Sequence, residues 1–116
     1  MSDCIFCRIV AGTIPCQNVF EDDDILAFKD LHPQRPVHVL VIPKRHITSL
    51  ATVTMDDAQV LGSMLAKANE IAAAQGSPDG FRVIINSGRV GNQEVPHLHM
   101  HVVGGPDPVG PMLKRV

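Results

Sequence analysis

The chain has 116 residues, 45% of them hydrophobic, and a formal net charge of −2, the size expected of one domain spanning residues 1–116 around one core. There is no cationic excess to neutralise a phosphate backbone, and the aromatics are four Phe with no Trp or Tyr, so general nucleic-acid binding is excluded. No apolar run reaches the roughly 20 residues of a membrane span, and Asp3 and Cys4 interrupt any basic-then-apolar leader, so a cytoplasmic protein with no membrane partner is expected.

Ile5, Phe6, Ile9 and Val10 recur at helical spacing and Gly12 follows, predicting a short N-terminal helix that stops at a glycine and puts Cys4 and Cys7 one turn apart. Residues 18–21, 25–30 and 37–42 are short, apolar-rich and bounded by Asp residues or by Pro33 and Pro36, which predicts three strands, the first two joined as a hairpin. Thr54 is placed to cap the next element, with Asp56 and Asp57 in its first turn and Gly76 beyond its end. Across that element Ala58, Leu61, Leu65, Ala68 and Ala72 recur every three or four residues, predicting a helix of about 20 residues that lays one apolar stripe on a flat partner. Residues 81–86 and 97–104, rich in Val and Ile or alternating in character, predict two further strands. One long helix between strand groups leaves too few crossovers for a doubly wound parallel sheet. The expected class is therefore α+β, a mainly antiparallel five-stranded sheet with one long helix and a short N-terminal helix. Residues 104–111, with three Gly and three Pro, read as an irregular arm.

In the last predicted strand His97, His99 and His101 alternate with Leu98, Met100 and Val102, an alternation that sends the histidines to one face and the apolar residues to the other. Imidazole titrates near 6.5, so neighbouring rings can divide the tasks of nucleophile, anion donor and proton donor at neutral pH. Two other readings stand beside this one: a strand that merely exposes polar residues, for which Lys, Glu or Thr would serve equally well, and a metal ion shared by the trio. The loop at 87–93 holds Gly88, Gly91 and Asn92; its amides can approach a phosphate closely, and it can equally be a plain turn.

With the histidine row go Ile5-Phe6 with Ile9, Ile14-Pro15, Phe20-Glu21-Asp22, Leu26-Ala27-Phe28, Asp30, Pro33-Gln34, Pro36, His38, Leu40-Val41-Ile42-Pro43-Lys44, His46-Ile47 and Gly104-Gly105. In these motifs, which cover nearly the whole chain, the sequence resembles the histidine triad nucleotide-binding family, in the branch of small purine nucleoside phosphoramidases. The resemblance implies a homodimer whose sheets join across the interface, with a purine nucleotide as substrate in each subunit. It implies that His99 attacks the α-phosphorus of an adenosine or guanosine 5′-phosphoramidate, expels an amine and forms a nucleotidyl-histidine that water hydrolyses. By family position, His101 and Asn86 would bond the phosphate or leaving group, and His38 would complete the histidine network. Asp30 would hold the ribose hydroxyls, Gln93 and the Val95 amide would touch the phosphate, and Phe6, Ile9, Ile14, Phe28 and Leu31 would form the slot for the base. The chain departs from the pattern at Glu94, where many eukaryotic members have serine, at Pro96, where an aromatic is common, and in the absence of a tryptophan after Gly105. Hydrolysis or phosphorolysis of dinucleoside polyphosphates, and nucleotide binding in a regulatory role, are the neighbouring functions.

Cys4 and Cys7 have the separation that lets two thiolates bind one metal from one turn, and His46 and His97 could supply two nitrogens to complete a tetrahedron. Several bacterial-type members resemble this pattern. A structural zinc ion tying the N-terminal helix to the sheet is the expectation, a reduced pair without metal the alternative. Cys16 has no partner spacing and is expected to be a plain thiol.

Overall fold

In the computed structural model, which describes residues 3–113, the chain runs through α1 (Ile5–Ala11), β1 (Asn18–Glu21), β2 (Ile25–Lys29), β3 (Val37–Pro43), α2 (Ala58–Gln75), β4 (Arg82–Ile84) and β5 (Met100–Gly104). The strands form one sheet in the order β1-β2-β3-β5-β4, and all four neighbouring pairs are antiparallel. This is the α+β class expected from the spacing of apolar runs and helix signals.

Local chemistry explains the element ends. Cys4 caps α1 by accepting from the Cys7 amide, and Gly12 and Gly76 close the two helices at left-handed φ of 83° and 112°, which glycine adopts without a Cβ penalty. Thr54 and Asp57 form a reciprocal capping box around a 3₁₀ turn, Met55–Asp57, that runs into α2. Asp22 accepts from the amides of Asp24 and Ile25 and so turns β1 into β2. At the far end of β5 a Cβ on Gly104 would collide with the Ser77 hydroxyl, which donates to the Gly80 carbonyl at 2.6 Å and accepts from the Gly105 amide at 3.0 Å. The Gly104-Gly105 pair thus lets the loop after α2 press against the end of the sheet.

The sheet has two unlike faces. Ile25, Ala27, Val39, Val41, Met100 and Val102 pack against Met64, Ala68, Ile71 and Ala72 of α2. On the opposite face Leu26, Phe28, Leu40 and Ile42 pack against Phe6 of α1. With seven residues against eighteen in α2, α1 is only about 10 Å long, so much of its face is left for polar groups.

Two expectations are corrected. The buried stripe of α2 is rotated from the one read in the sequence: Met64 and Ile71 are inside with Ala68 and Ala72, whereas Ala58 is exposed and Leu65 is 54% exposed. At about 100° per residue, Leu65 lies roughly 60° from Ala68 on the side away from Ile71. The last two strands are also shorter than 81–86 and 97–104. Pro96 has no amide proton, the His97 amide bonds the Val95 carbonyl, and the Leu98 amide donates to the Ile47 carbonyl at 2.6 Å, so regular pairing starts only at Met100.

The packing yields a direct test. Met64→Ala should cost about 2–5 kcal/mol by urea denaturation, as large-to-small core changes do, and Leu65→Ala less than about 1 kcal/mol in the monomeric fold. The reverse ranking would show that α2 turns its other stripe inward.

Candidate active site

The register of β3 on β5 builds the centre of the site. His38 pairs with Val103 and Leu40 with His101, so His38 and His101 are diagonal neighbours on the face opposite α2, within reach of each other. His38 Nε2 and His101 Nδ1 are 2.9 Å apart, with Asp30 Oδ2 3.4 Å from His38 Nε2. Although His99 precedes the regular strand, the alternation continues through it, because Leu98 joins the α2-side core while the His99 ring lies edge-on to Phe6 at 5.2 Å and to His101 at 5.2 Å.

Main-chain groups assign the protons on these rings. The Gln34 amide donates to His38 Nδ1 at 3.0 Å, so neutral His38 carries its proton on Nε2 and donates it to His101 Nδ1. His101 in turn keeps its own proton on Nε2. His99 Nδ1 lies 2.8 Å from the His97 carbonyl, which can only accept, so the Nδ1 proton is held there and the lone pair sits on Nε2. Burial first, then the neighbouring rings of His99 and His38, push the His101 pKa down to about 4 against an opposing pull from Asp30. Burial likewise lowers His38, again opposed by Asp30. With each ring neutral, the centre therefore presents one imidazole lone pair, on His99 Nε2, beside one N–H donor, on His101 Nε2.

The third histidine of the row faces elsewhere. His97 is fully buried; its Nε2 donates to the Pro43 carbonyl at 2.9 Å, leaving Nδ1 toward the cysteines. Cys4 Sγ is 3.3 Å and Cys7 Sγ 3.6 Å from that Nδ1, and Cys7 Sγ is 3.3 Å from His46 Nδ1. All four donor atoms lie within 4.8 Å of one another. Around a tetrahedral ion with bonds near 2.3 Å to sulfur and 2.0–2.1 Å to nitrogen, sulfur and nitrogen ligands stand about 3.5 Å apart, so the donor set fits such an ion. The His97 bond to a backbone carbonyl is the orientation that metal-ligating histidines use. Among the described residues His97, His99 and His101 do not converge as a metal-binding group, which disposes of a metal shared by the trio. Asp30, His38 and His101 do converge, but the Gln34 amide keeps a proton on His38 Nε2, the nitrogen a metal would need.

Around this centre the expected residues are brought together unequally. Phe6 and Phe28 are buried and meet edge to face at 5.7 Å, with Ile9 and Val95 half-buried against the same cluster. Ile14 is half-buried outside it, and Leu31 is 77% exposed on the loop after β2. Asn86 lines a groove of about 310 Å³ together with His38 and His101. The Gln93 side chain ties its loop to the segment after β3: Nε2 donates to the carbonyls of Thr48 and Val95, and Oε1 accepts from the Gly88 amide. Sequence reasoning missed the Gln34 amide and the Pro43 carbonyl, because backbone groups leave no signature in residue type. It also missed Arg35 and Arg82, which line the same groove.

Known proteins resemble this chain over nearly its whole length. The family described as scavenger mRNA decapping enzyme C-terminal binding matches residues 3–114. Protein HitA of Neisseria gonorrhoeae is 49% identical over 106 residues, 91% of this chain and 99% of that one. Purine nucleoside phosphoramidase of Escherichia coli is 44% identical over 110 residues, 94% of this chain and 92% of that one. A solved HIT family hydrolase from Legionella pneumophila superposes with a TM-score of 0.86 at 44% identity, covering 90% of this chain and 95% of that one. Fold and relatives together define the class, that of small α+β hydrolases. The chain belongs to the histidine triad (HIT) family.

The depressed His101 pKa sets a pH dependence. Its folded value of about 4 lies below the ordinary 6.5, so the unfolded chain takes up this proton first. The stability held by the neutral ring is complete above about pH 6.5 and is lost as pH falls toward 4, by at most roughly 3 kcal/mol. Denaturant titrations between pH 7 and pH 4.5 should show a shallower loss for His101→Asn than for the parent, and parallel losses would count against a proton-free His101.

Proposed function

We propose that the protein is a purine nucleoside phosphoramidase, a nucleotide hydrolase that cleaves the P–N bond of adenosine or guanosine 5′-phosphoramidates. The observation that carries this reading is the His99 contact to the His97 carbonyl, which leaves Nε2 as a directed nitrogen nucleophile next to the N–H of His101. The 44% identical E. coli relative bears that activity in its name.

The chemistry follows from the atoms. The Nε2 lone pair of His99 forms a bond to the α-phosphorus, the P–N bond breaks, and its electrons leave on the amine nitrogen, which takes up a proton. His101 stands beside this transfer: its Nε2–H is a donor to the phosphoryl oxygens and the departing nitrogen, and the proton the amine takes up comes from solvent in the groove. In the second step water bonds to phosphorus, the P–Nε2 bond breaks, the water proton is released to solvent, and the nucleoside monophosphate departs with His99 restored. Asp30 would hold the ribose hydroxyls and the Phe6 and Phe28 pair would wall the base. The short edge strand β4, half-buried in the single chain, and the outward Leu65 support a homodimer joined along the sheet.

Cys4, Cys7, His46 and His97 would hold zinc. With four protein ligands the ion supplies cohesion and no reacting water: it would join α1 to the sheet and steady the His97 carbonyl that orients His99.

His99→Ala should reduce turnover of an adenosine 5′-phosphoramidate by at least about 10³-fold while AMP binding, measured by calorimetry, stays within a few-fold; retained turnover would sink the covalent route. Metal analysis should find one zinc per chain, absent from Cys7→Ser, and a chelator should lower the melting temperature of the parent and leave that of the variant unchanged. A metal-free parent with the same melting temperature would remove zinc from the account.

A further inference from the structure

The groove that carries His38, Asn86 and His101 continues to Arg35 on the loop before β3 and Arg82 on β4, and is bordered there by Val109 and Met112 of the C-terminal arm. Among the described residues no carboxylate lines it. Among the described residues neither arginine has an ion-pair partner. Each instead reaches the arm, Arg35 donating to the Val109 carbonyl at 2.9 Å and Arg82 to the Gly110 carbonyl. A guanidinium has five donors in a fixed fork, so these contacts locate the two cations and leave further N–H groups for another acceptor.

We propose that Arg35 and Arg82 form a subsite for an anionic group on the leaving portion of the substrate, a carboxylate or phosphate carried by the amine that departs. This deepens the phosphoramidase reading and rests on it for the direction of binding. The base slot at Phe6 and Phe28 lies to one side of His99 and His101, so the group expelled from phosphorus is directed to the other side, along the groove toward β4. Two cations uncompensated by carboxylates favour an anion there, and forked donors suit its paired oxygens. Unsubstituted ammonia is too small to reach the pair, and a cationic amine would be repelled. Arg35 and Arg82 act here as specificity residues, while the chemistry stays with His99 and His101.

The test uses His99→Ala protein, in which conjugates persist, and three AMP conjugates joined through nitrogen to glycine, to 2-aminoethyl phosphate and to ethylamine. At least one anionic conjugate should bind about tenfold or more tightly than the ethylamine conjugate, as charge-assisted hydrogen bonds permit. Adding Arg35→Gln and Arg82→Gln should erase that advantage and leave ethylamine-conjugate affinity unchanged. The glycine and phosphate arms show which anion is taken. Equal affinity for all three conjugates would overturn the subsite, as would a parallel loss for all three in the arginine variant, which would mean the arginines only hold the arm. Turnover by the parent is scored separately: its absence would refute the hydrolase reading, while the binding series still decides the subsite.

Discussion

Three main-chain groups each meet one nitrogen of a sequestered imidazole: the Gln34 amide at His38 Nδ1, the His97 carbonyl at His99 Nδ1 and the Pro43 carbonyl at His97 Nε2. Each contact decides what the other nitrogen of its ring can do. His38 becomes a donor to His101, His99 an acceptor open to an electrophile, and His97 an acceptor facing two thiols. Histidine has two tautomers close in energy, so an unfixed ring would divide its population between useful and useless forms. Here a backbone group that cannot change its own hydrogen-bonding sense makes the choice.

That arrangement needs a stiff frame, and the sheet supplies it. The residues that alternate with the histidines, Leu98, Met100 and Val102, are fully buried against the α2 layer, so the segment that carries the three rings is anchored by its other face. The opposite face is apolar under α1 and polar beyond it, so burial and polarity meet at Phe6, whose ring lies edge-on to both His97 and His99. The expected zinc ligands sit at the root of this contact. Whatever holds Cys4 and Cys7 to His97 also holds Phe6 against His99.

Much of this was legible in the residues because it depends on local chemistry. The N-terminal helix and its stop at Gly12, the capping by Thr54 and the alternation around Met100 are all set by neighbours in sequence. The row of histidines announced a site, and the spacing of Cys4 and Cys7 announced the donor set that His46 and His97 join. What could not be read depends on distant partners. Leu98 bonds the Ile47 carbonyl, which shortens β5, and the burial of Met64 and Ile71 over Ala58 and Leu65 is chosen by the sheet beneath α2. The bonds of the Gln93 side chain to the carbonyls of Thr48 and Val95 likewise depend on partners that residue type does not reveal. Arg35 and Arg82 belong to no motif and come together only because β4 and the loop before β3 flank the same groove.

The most direct measurement of the account is the tautomer of each ring, from long-range nitrogen–proton correlation spectra of uniformly ¹⁵N-labelled protein at pH 7. The structure requires the proton on Nε2 for His38 and His101 and on Nδ1 for His99. A spectrum placing the His99 proton on Nε2, or showing His101 doubly protonated in the absence of ligand, would contradict it.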